Sequence, residues 1–101
     1  MKRAAGTLEE VKKILKEHKA EVSRKYKVNE IGIFGSFVRG EQKKRSDIDI
    51  LVEFSETPDL FEFMDLQEYL EEILGSKIDL VTKDAIKPLI KDRILSEVVY
   101  V

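Results

Sequence analysis

The stretch from Ile31 to Val52, IGIFGSFVRGEQKKRSDIDILV, decides the fold of this chain. It reads as a buried strand, a glycine-serine turn into a short helix, a polar basic loop, and a second strand that opens with two aspartates. Aspartate is a poor strand former, so Asp47 and Asp49 in a β-branched run need an explanation. Side chains at positions i and i+2 of a strand share one face, which brings the two carboxylates side by side. They repel each other unless a cation lies between them.

Composition limits the classes of protein to which the chain can belong. With 101 residues and 43% hydrophobic content, we expect one domain with a single modest core. The sequence has no membrane-length apolar run and no signal-peptide core, so we expect a cytoplasmic protein. It has no cysteine and only His18, which leaves oxygen atoms as the ligands for any metal. A net charge of -2 argues against a non-specific nucleic-acid binder.

Apolar periodicity and turn residues predict the order of elements on either side of this stretch. Thr7 and Glu10 predict the start of a first helix that ends near Lys27, and Gly40 closes the short helix. Asp59 and Gly75 bound a longer one. We predict strands over 28–34, 47–54, 77–82 and 98–101, and a last helix over 84–97. The fold class is therefore α/β (α+β), a small mixed sheet flanked by helices, with strand order and pairing direction left open.

Two apolar faces are predicted to point inward. The longer helix offers a broad face, and the last helix offers a second one. Phe61 lies off the first stripe and is a candidate contact for a partner. The predicted inward residues are Leu60, Phe63, Met64, Leu66, Leu70, Ile73 and Leu74 on the longer helix, and Ile86, Leu89, Ile90 and Ile94 on the last helix.

The spacing of polar residues in the central stretch resembles a known signature. Gly35-Ser36, ten intervening residues and Asp47-x-Asp49, followed by Asp79 in KIDLV, are similar to the motif of the polymerase-beta-like nucleotidyltransferase superfamily. The subgroup that the chain resembles is the minimal nucleotidyltransferase family, the antitoxin partner of HEPN toxins. The resemblance covers nearly the whole chain and implies the nucleotidyltransferase fold.

The three aspartates suit a magnesium site of the kind that this resemblance implies. Mg²⁺ prefers oxygen ligands and is usually held by one or two carboxylates together with substrate phosphates. Two such ions clamp the attacking and leaving oxygens of a phosphoryl displacement. Asp47 and Asp49 would bridge the metal ions, Mg²⁺ or Mn²⁺ in its place, and the triphosphate. Asp79 would complete the coordination of the second ion and take the proton from the acceptor hydroxyl.

The residues before the aspartates suit a triphosphate. Gly35 allows close backbone approach, Ser36 offers a hydroxyl, and amides that open a helix attract anions. The resemblance implies that Gly35 and Ser36 bind the phosphates of ATP. Arg39, one helical turn on, either reaches a phosphate, braces an aspartate or is structural. The basic run 43–45 is either a solvated loop or gathers the triphosphate or an acidic partner.

Simpler interpretations stay open for the same residues. Asp47 and Asp49 could be solvated acids at a strand start, and Asp79 an ordinary strand residue. Ser36 could merely cap the short helix. Serine catalysis would need His18 as its base, and His18 has no partner in the sequence pattern.

The resemblance implies transfer of AMP from ATP to a tyrosine hydroxyl of a cognate HEPN toxin, with the chain acting as an antitoxin. A second hypothesis is a catalytically weak or inactive nucleotide-binding module that neutralises the toxin by direct binding. Transfer to a small-molecule hydroxyl, such as that of an antibiotic, is disfavoured because no acceptor-binding lobe is present. Homodimer and hetero-oligomer both stay open.

Overall fold

The computed structural model describes residues 5–43 and 47–101 and confirms the predicted mixed α/β architecture. Residues 44–46, which include two members of the predicted basic run, lie outside the described residues. The helices are α1 (Leu8–Tyr26), α2 (Ser36–Arg39), α3 (Leu60–Leu74) and α4 (Pro88–Glu97), and a 3-10 turn spans Lys83–Ala85. The strands are β1 (Val28–Phe34), β2 (Ile48–Phe54), β3 (Ile78–Thr82) and β4 (Val99–Tyr100). Among the described helices, none is long and apolar enough to cross a membrane.

Local signals explain where the longer helices begin and end. The Thr7 side chain accepts a hydrogen bond from the Glu10 amide at 3.2 Å, which caps α1. Asp59 and Glu62 form a reciprocal capping box at the start of α3, and Gly75 follows its last turn. These boundaries agree with the sequence prediction.

The sheet has the order β3-β2-β1-β4, which the sequence left open. β1 runs antiparallel to both β2 and β4, whereas β2 and β3 are parallel. Helix α3 supplies the long crossover connection that a parallel pair of strands requires. The start of β2, the start of β3 and the end of β1 therefore meet at one end of the sheet.

The two faces of the sheet are covered differently. Helices α1 and α3 bury the larger core against one face, where Ile48, Ile50 and Val52 of β2 point. The opposite face carries a smaller cluster of Phe34 and Leu51 with Ile86, packed against part of α4. Alternation along β2 thus places Asp49 on the same face as Leu51, as predicted.

The predicted inward face of the last helix is partly wrong. The α-helix begins at Pro88 and not at Asp84, because proline favours the first helical position and keeps the preceding residue extended. Ile86 is buried before the helix and Ile94 packs on the smaller cluster. Leu89, however, is 99% exposed and Ile90 is 46% exposed.

The predicted apolar face of α3 is also too broad. Leu66, Leu70 and Leu74 are fully buried, and Phe63 and Ile73 pack beside them. Leu60 and Met64 are exposed, as is Phe61. Met64 is two residues from Leu66, about 200° around a helix of 3.6 residues per turn, so it cannot share the buried stripe.

Candidate active site

Strand register brings the predicted acidic residues to one end of the sheet. Asp49 lies opposite Asp79 in the parallel ladder between β2 and β3, and opposite Phe34 in the antiparallel ladder with β1. Side chains of paired residues on neighbouring strands point from the same face, about 5 Å apart at the backbone. Asp47 immediately precedes β2. The sheet alone therefore places Asp49 and Asp79 side by side.

The charges of these carboxylates influence one another. Asp49 is half-buried, whereas Asp47 and Asp79 are exposed. Burial, followed by the negative charges of Asp79 and Asp47, raises the pKa of Asp49 to about 6. Arg39 acts in the opposite direction, and Glu97 adds to the increase. The neighbouring negative charges repel one another, and a cation bound beside Asp49 would relieve this repulsion.

Gly35 permits the Asp49 carboxylate to lie directly against the turn after β1. Its backbone has φ 76° and ψ -147°, a region that residues with a side chain rarely adopt. A Cβ atom at Gly35 would overlap the Asp49 carboxylate. The close approach that the sequence assigned to a phosphate is thus made in this structure by the Asp49 carboxylate.

The predicted anion-binding groups lie beside the carboxylates. Ser36, half-buried, begins α2, and Arg39 ends it. Glu97 Oε1 accepts hydrogen bonds from the Gly35 amide at 3.0 Å and from Arg39 Nη1 at 3.1 Å. Arg39 Nε donates to Glu41 on its other side. The guanidinium therefore acts on Asp49 through its charge and makes its direct contacts with two glutamates.

An open cleft of about 250 Å³ lies beside Gly35, Arg39 and Asp49, whereas Ser36, Asp47 and Asp79 do not line it. Gly35, Arg39 and Asp49 line one side of it, and Ile90, Arg93 and Glu97 of α4 line the other. Arg93 and Glu97 were not predicted from the sequence, since neither belongs to a motif. The signal that could have found Glu97 is a lone carboxylate in the last turn of a helix, where the helix dipole disfavours negative charge.

The aspartates at this end of the sheet offer carboxylate oxygens to a divalent cation, but they do not form a complete metal site by themselves. Within the part of the chain that the structure describes, no three His, Cys, Asp or Glu side chains are grouped as a metal site. However, magnesium needs only one or two protein carboxylates when phosphates and water supply the other ligands. The neighbouring Asp47 and Asp49, with oxygen donors alone, meet that requirement.

His18 takes no part in this site. It lies half-buried on α1, on the opposite side of the sheet, where its Nδ1 donates a hydrogen bond to the Ile14 carbonyl at 2.9 Å. Its ring packs edge-on against Tyr69, with centroids 6.1 Å apart. Serine catalysis by Ser36 with His18 as its base is therefore excluded by position.

Comparisons with known proteins agree with this architecture. The profile of the nucleotidyltransferase domain family matches residues 15–101. The protein adenylyltransferase MntA of Thermococcus cleftensis is 54% identical over 95 residues, which cover 94% of this chain and 96% of that protein.

Two solved structures have a similar fold. A proposed minimal nucleotidyltransferase superposes with a TM-score of 0.72 at 27% identity, covering 88% of this chain and 93% of that one. A chain from a toxin-antitoxin complex crystallised with AMP-PNP superposes with a TM-score of 0.68 at 27% identity. That match covers 83% of this chain and 69% of the other.

Proposed function

The chain belongs to the nucleotidyltransferase domain family, and we propose from this premise that it transfers AMP from ATP to a hydroxyl of a partner toxin. The single observation that carries the proposal is the placement of Asp47, Asp49 and Asp79 at one end of the sheet, beside the Gly35-Ser36 turn. The 54% identity to a protein adenylyltransferase supports AMP as the group transferred. The acceptor we propose is a tyrosine of a HEPN toxin, and the chain would act as its antitoxin in the cytoplasm.

We assign the triphosphate to the donors on the α2 side of the cleft. Gly35 and Arg39 line the cleft, and Ser36 follows Gly35 where β1 passes into α2. Backbone and hydroxyl donors orient phosphate oxygens, and arginine adds a charged, planar donor. Positioning and charge neutralisation are most of what phosphoryl transfer requires from a protein.

We assign Asp47 and Asp49, with Asp79 beside them, to the divalent metal, Mg²⁺ or Mn²⁺. When bound, the metal would neutralise charge on the triphosphate and on the leaving group. The increased pKa of Asp49 is consistent with this role, because a carboxylate crowded by like charges gains most from a cation.

The proposed reaction is an in-line displacement at the α-phosphorus of ATP. The acceptor oxygen forms a bond to that phosphorus, and the bond from phosphorus to the oxygen that bridges the α- and β-phosphates breaks. Pyrophosphate leaves with the bonding electron pair. The proton of the acceptor hydroxyl passes to the Asp79 carboxylate, which is exposed and can release it to water.

The test is label transfer with the purified protein and its proposed partner, a HEPN toxin from the same organism. ATP labelled at the α-phosphorus should label the toxin, whereas ATP labelled at the γ-phosphorus should not. The double variant Asp47→Asn with Asp49→Asn should abolish labelling. Asp65→Asn, which changes an exposed aspartate on α3, is the matched control and should label normally. Labelling that persists in the double variant would reject the proposed catalytic residues.

One observation favours the second candidate function, neutralisation by binding alone. The groups that we assign to the phosphates, the Gly35 amide and Arg39, already bind Glu97. If the double aspartate variant still protects cells from the toxin, binding is sufficient for antitoxin action. Loss of protection together with loss of labelling would make transfer the necessary step.

A further inference from the structure

Glu97 lies on the same donors that the proposed function assigns to the triphosphate. Its Oε1 accepts from the Gly35 amide at 3.0 Å and from Arg39 Nη1 at 3.1 Å, and its Oε2 lies 3.2 Å from the same nitrogen. The Glu97 side chain is only 19% exposed, against 42% for that of Arg39. A carboxylate therefore fills the positions at which phosphate oxygens would accept the same hydrogen bonds.

The stability of α4 does not account for a glutamate at this position. Glu97 is the last residue of the helix, where the partial negative charge of the helix end opposes a carboxylate. It also adds negative charge near Asp49. The hydrogen bonds from Arg39 and the Gly35 amide offset both unfavourable interactions of the Glu97 charge. The Glu97 carboxylate is therefore held in place by the same groups that we assign to the phosphates.

We propose that Glu97 is an internal competitor of the nucleotide, whose carboxylate must leave the Gly35 amide and Arg39 before a triphosphate can bind there. This inference rests on the proposed function, because it concerns the same site. Glu97 is accordingly a residue that sets nucleotide affinity. The affinity observed for the nucleotide is its intrinsic affinity lowered by the fraction of molecules in which Glu97 holds the donors.

The surroundings allow this exchange. Arg39 also donates to Glu41, which lies outside the cleft, so the guanidinium keeps one partner when Glu97 leaves. The cleft beside Glu97 is open and contains about 250 Å³. Arg93, on the same helix, lines it as a further cation.

The experiment measures binding of Mg²⁺ with AMP-PNP by calorimetry to the wild type and to two variants, Glu97→Gln and Glu97→Ala. The alanine variant removes the competitor and should bind about tenfold more tightly, since hydrogen bonds to charged groups typically contribute more than one factor of ten. The glutamine variant keeps an acceptor for the Gly35 amide but not the charge, so its gain should be smaller. Glu41→Gln is the matched control, because it removes the negative charge of the other carboxylate that Arg39 contacts.

Further ligands and a stability measurement separate the outcomes. Inorganic tripolyphosphate with Mg²⁺ should show the same gain, and adenosine, which has no phosphate, should show none. Urea unfolding without nucleotide checks that each variant is folded. If Glu97→Ala does not fold, the affinity of Glu97→Gln for the nucleotide decides whether Glu97 competes with it.

Unchanged or weaker binding in the folded Glu97 variants, with normal binding by the wild type, overturns this inference and leaves the proposed function standing. An equal gain in the Glu41 control also overturns it, since release of Arg39 alone would then explain the effect. A wild type that binds neither AMP-PNP nor tripolyphosphate rejects the proposed function, and this inference with it.

Discussion

Asp49→Asn should stabilise the protein against unfolding at neutral pH. The pKa of Asp49 is about 6, compared with 3.8 for an unperturbed aspartate, mainly because of burial and then because of Asp79 and Asp47. One unit of pKa corresponds to about 1.4 kcal/mol, so this shift in pKa corresponds to about 3 kcal/mol of destabilisation by the charged form before solvent screening is considered. Because Asp49 is only half-buried, solvent screening lowers the expected cost to about 1.5 kcal/mol. An asparagine removes this cost.

The pH dependence of the gain follows from the direction of the pKa shift. The folded protein holds the Asp49 proton more tightly than the unfolded chain, so between about pH 4 and pH 6 the folded form carries more protons. The cost is complete above pH 6 and disappears as the pH falls below the unfolded pKa. The gain from Asp49→Asn should therefore be present at pH 7.5 and absent near pH 3.5.

Urea unfolding at 25 °C in the absence of metal and nucleotide measures this gain. Asp65→Asn is the control, because Asp65 is an exposed aspartate on the helix that covers the other face, and it should change stability by less than about 0.5 kcal/mol. If Asp49→Asn is less stable than the wild type at pH 7.5, or equally stabilised at both pH values, the charged Asp49 carboxylate does not destabilise the fold.

Three further outcomes are expected. Gly35→Ala should lower the free energy of unfolding by about 3 kcal/mol or more, because the new Cβ would overlap the Asp49 carboxylate. Gly40→Ala, also at positive φ but with open space around it, should lower it by only about 1–2 kcal/mol. Equal losses in the two variants would contradict this explanation. Leu70→Ala should lose about 2–5 kcal/mol in urea unfolding, while Leu89→Ala, which is 99% exposed, should change little. A hundredfold excess of Mg²⁺ with AMP-PNP over its Kd should stabilise the wild type by about 2.7 kcal/mol in a thermal scan, and a comparable shift in Asp49→Asn would contradict the metal assignment.

Local and nearest-neighbour signals were sufficient to predict most of the fold. Capping at Thr7 and Asp59 and alternation along β2 fixed element boundaries and faces, and the structure confirms them. Pairing direction was not predictable in this way, since it depends on which strand α3 returns to. The convergence of Asp49 with Asp79 is a consequence of that parallel register.

The contributions of α4 could not be read from the sequence. The hydrogen bond from the Gly35 amide to Glu97 joins residues 62 positions apart, so no local pattern encodes it. Helix α4 packs against the small apolar cluster on the second face of the sheet, so only a few of its side chains are in contact with the core. Periodicity alone therefore assigned Leu89 and Ile90 to the core, although both are exposed and Ile90 lines the cleft.

A crystal structure of the protein with Mg²⁺ and AMP-PNP would show whether metal and triphosphate bind where we propose. We expect metal on Asp47 and Asp49, phosphate oxygens on the Gly35 amide, Ser36 and Arg39, and the Glu97 carboxylate moved away from those donors. Nucleotide bound elsewhere on the protein, or metal held without either aspartate, would contradict this proposal.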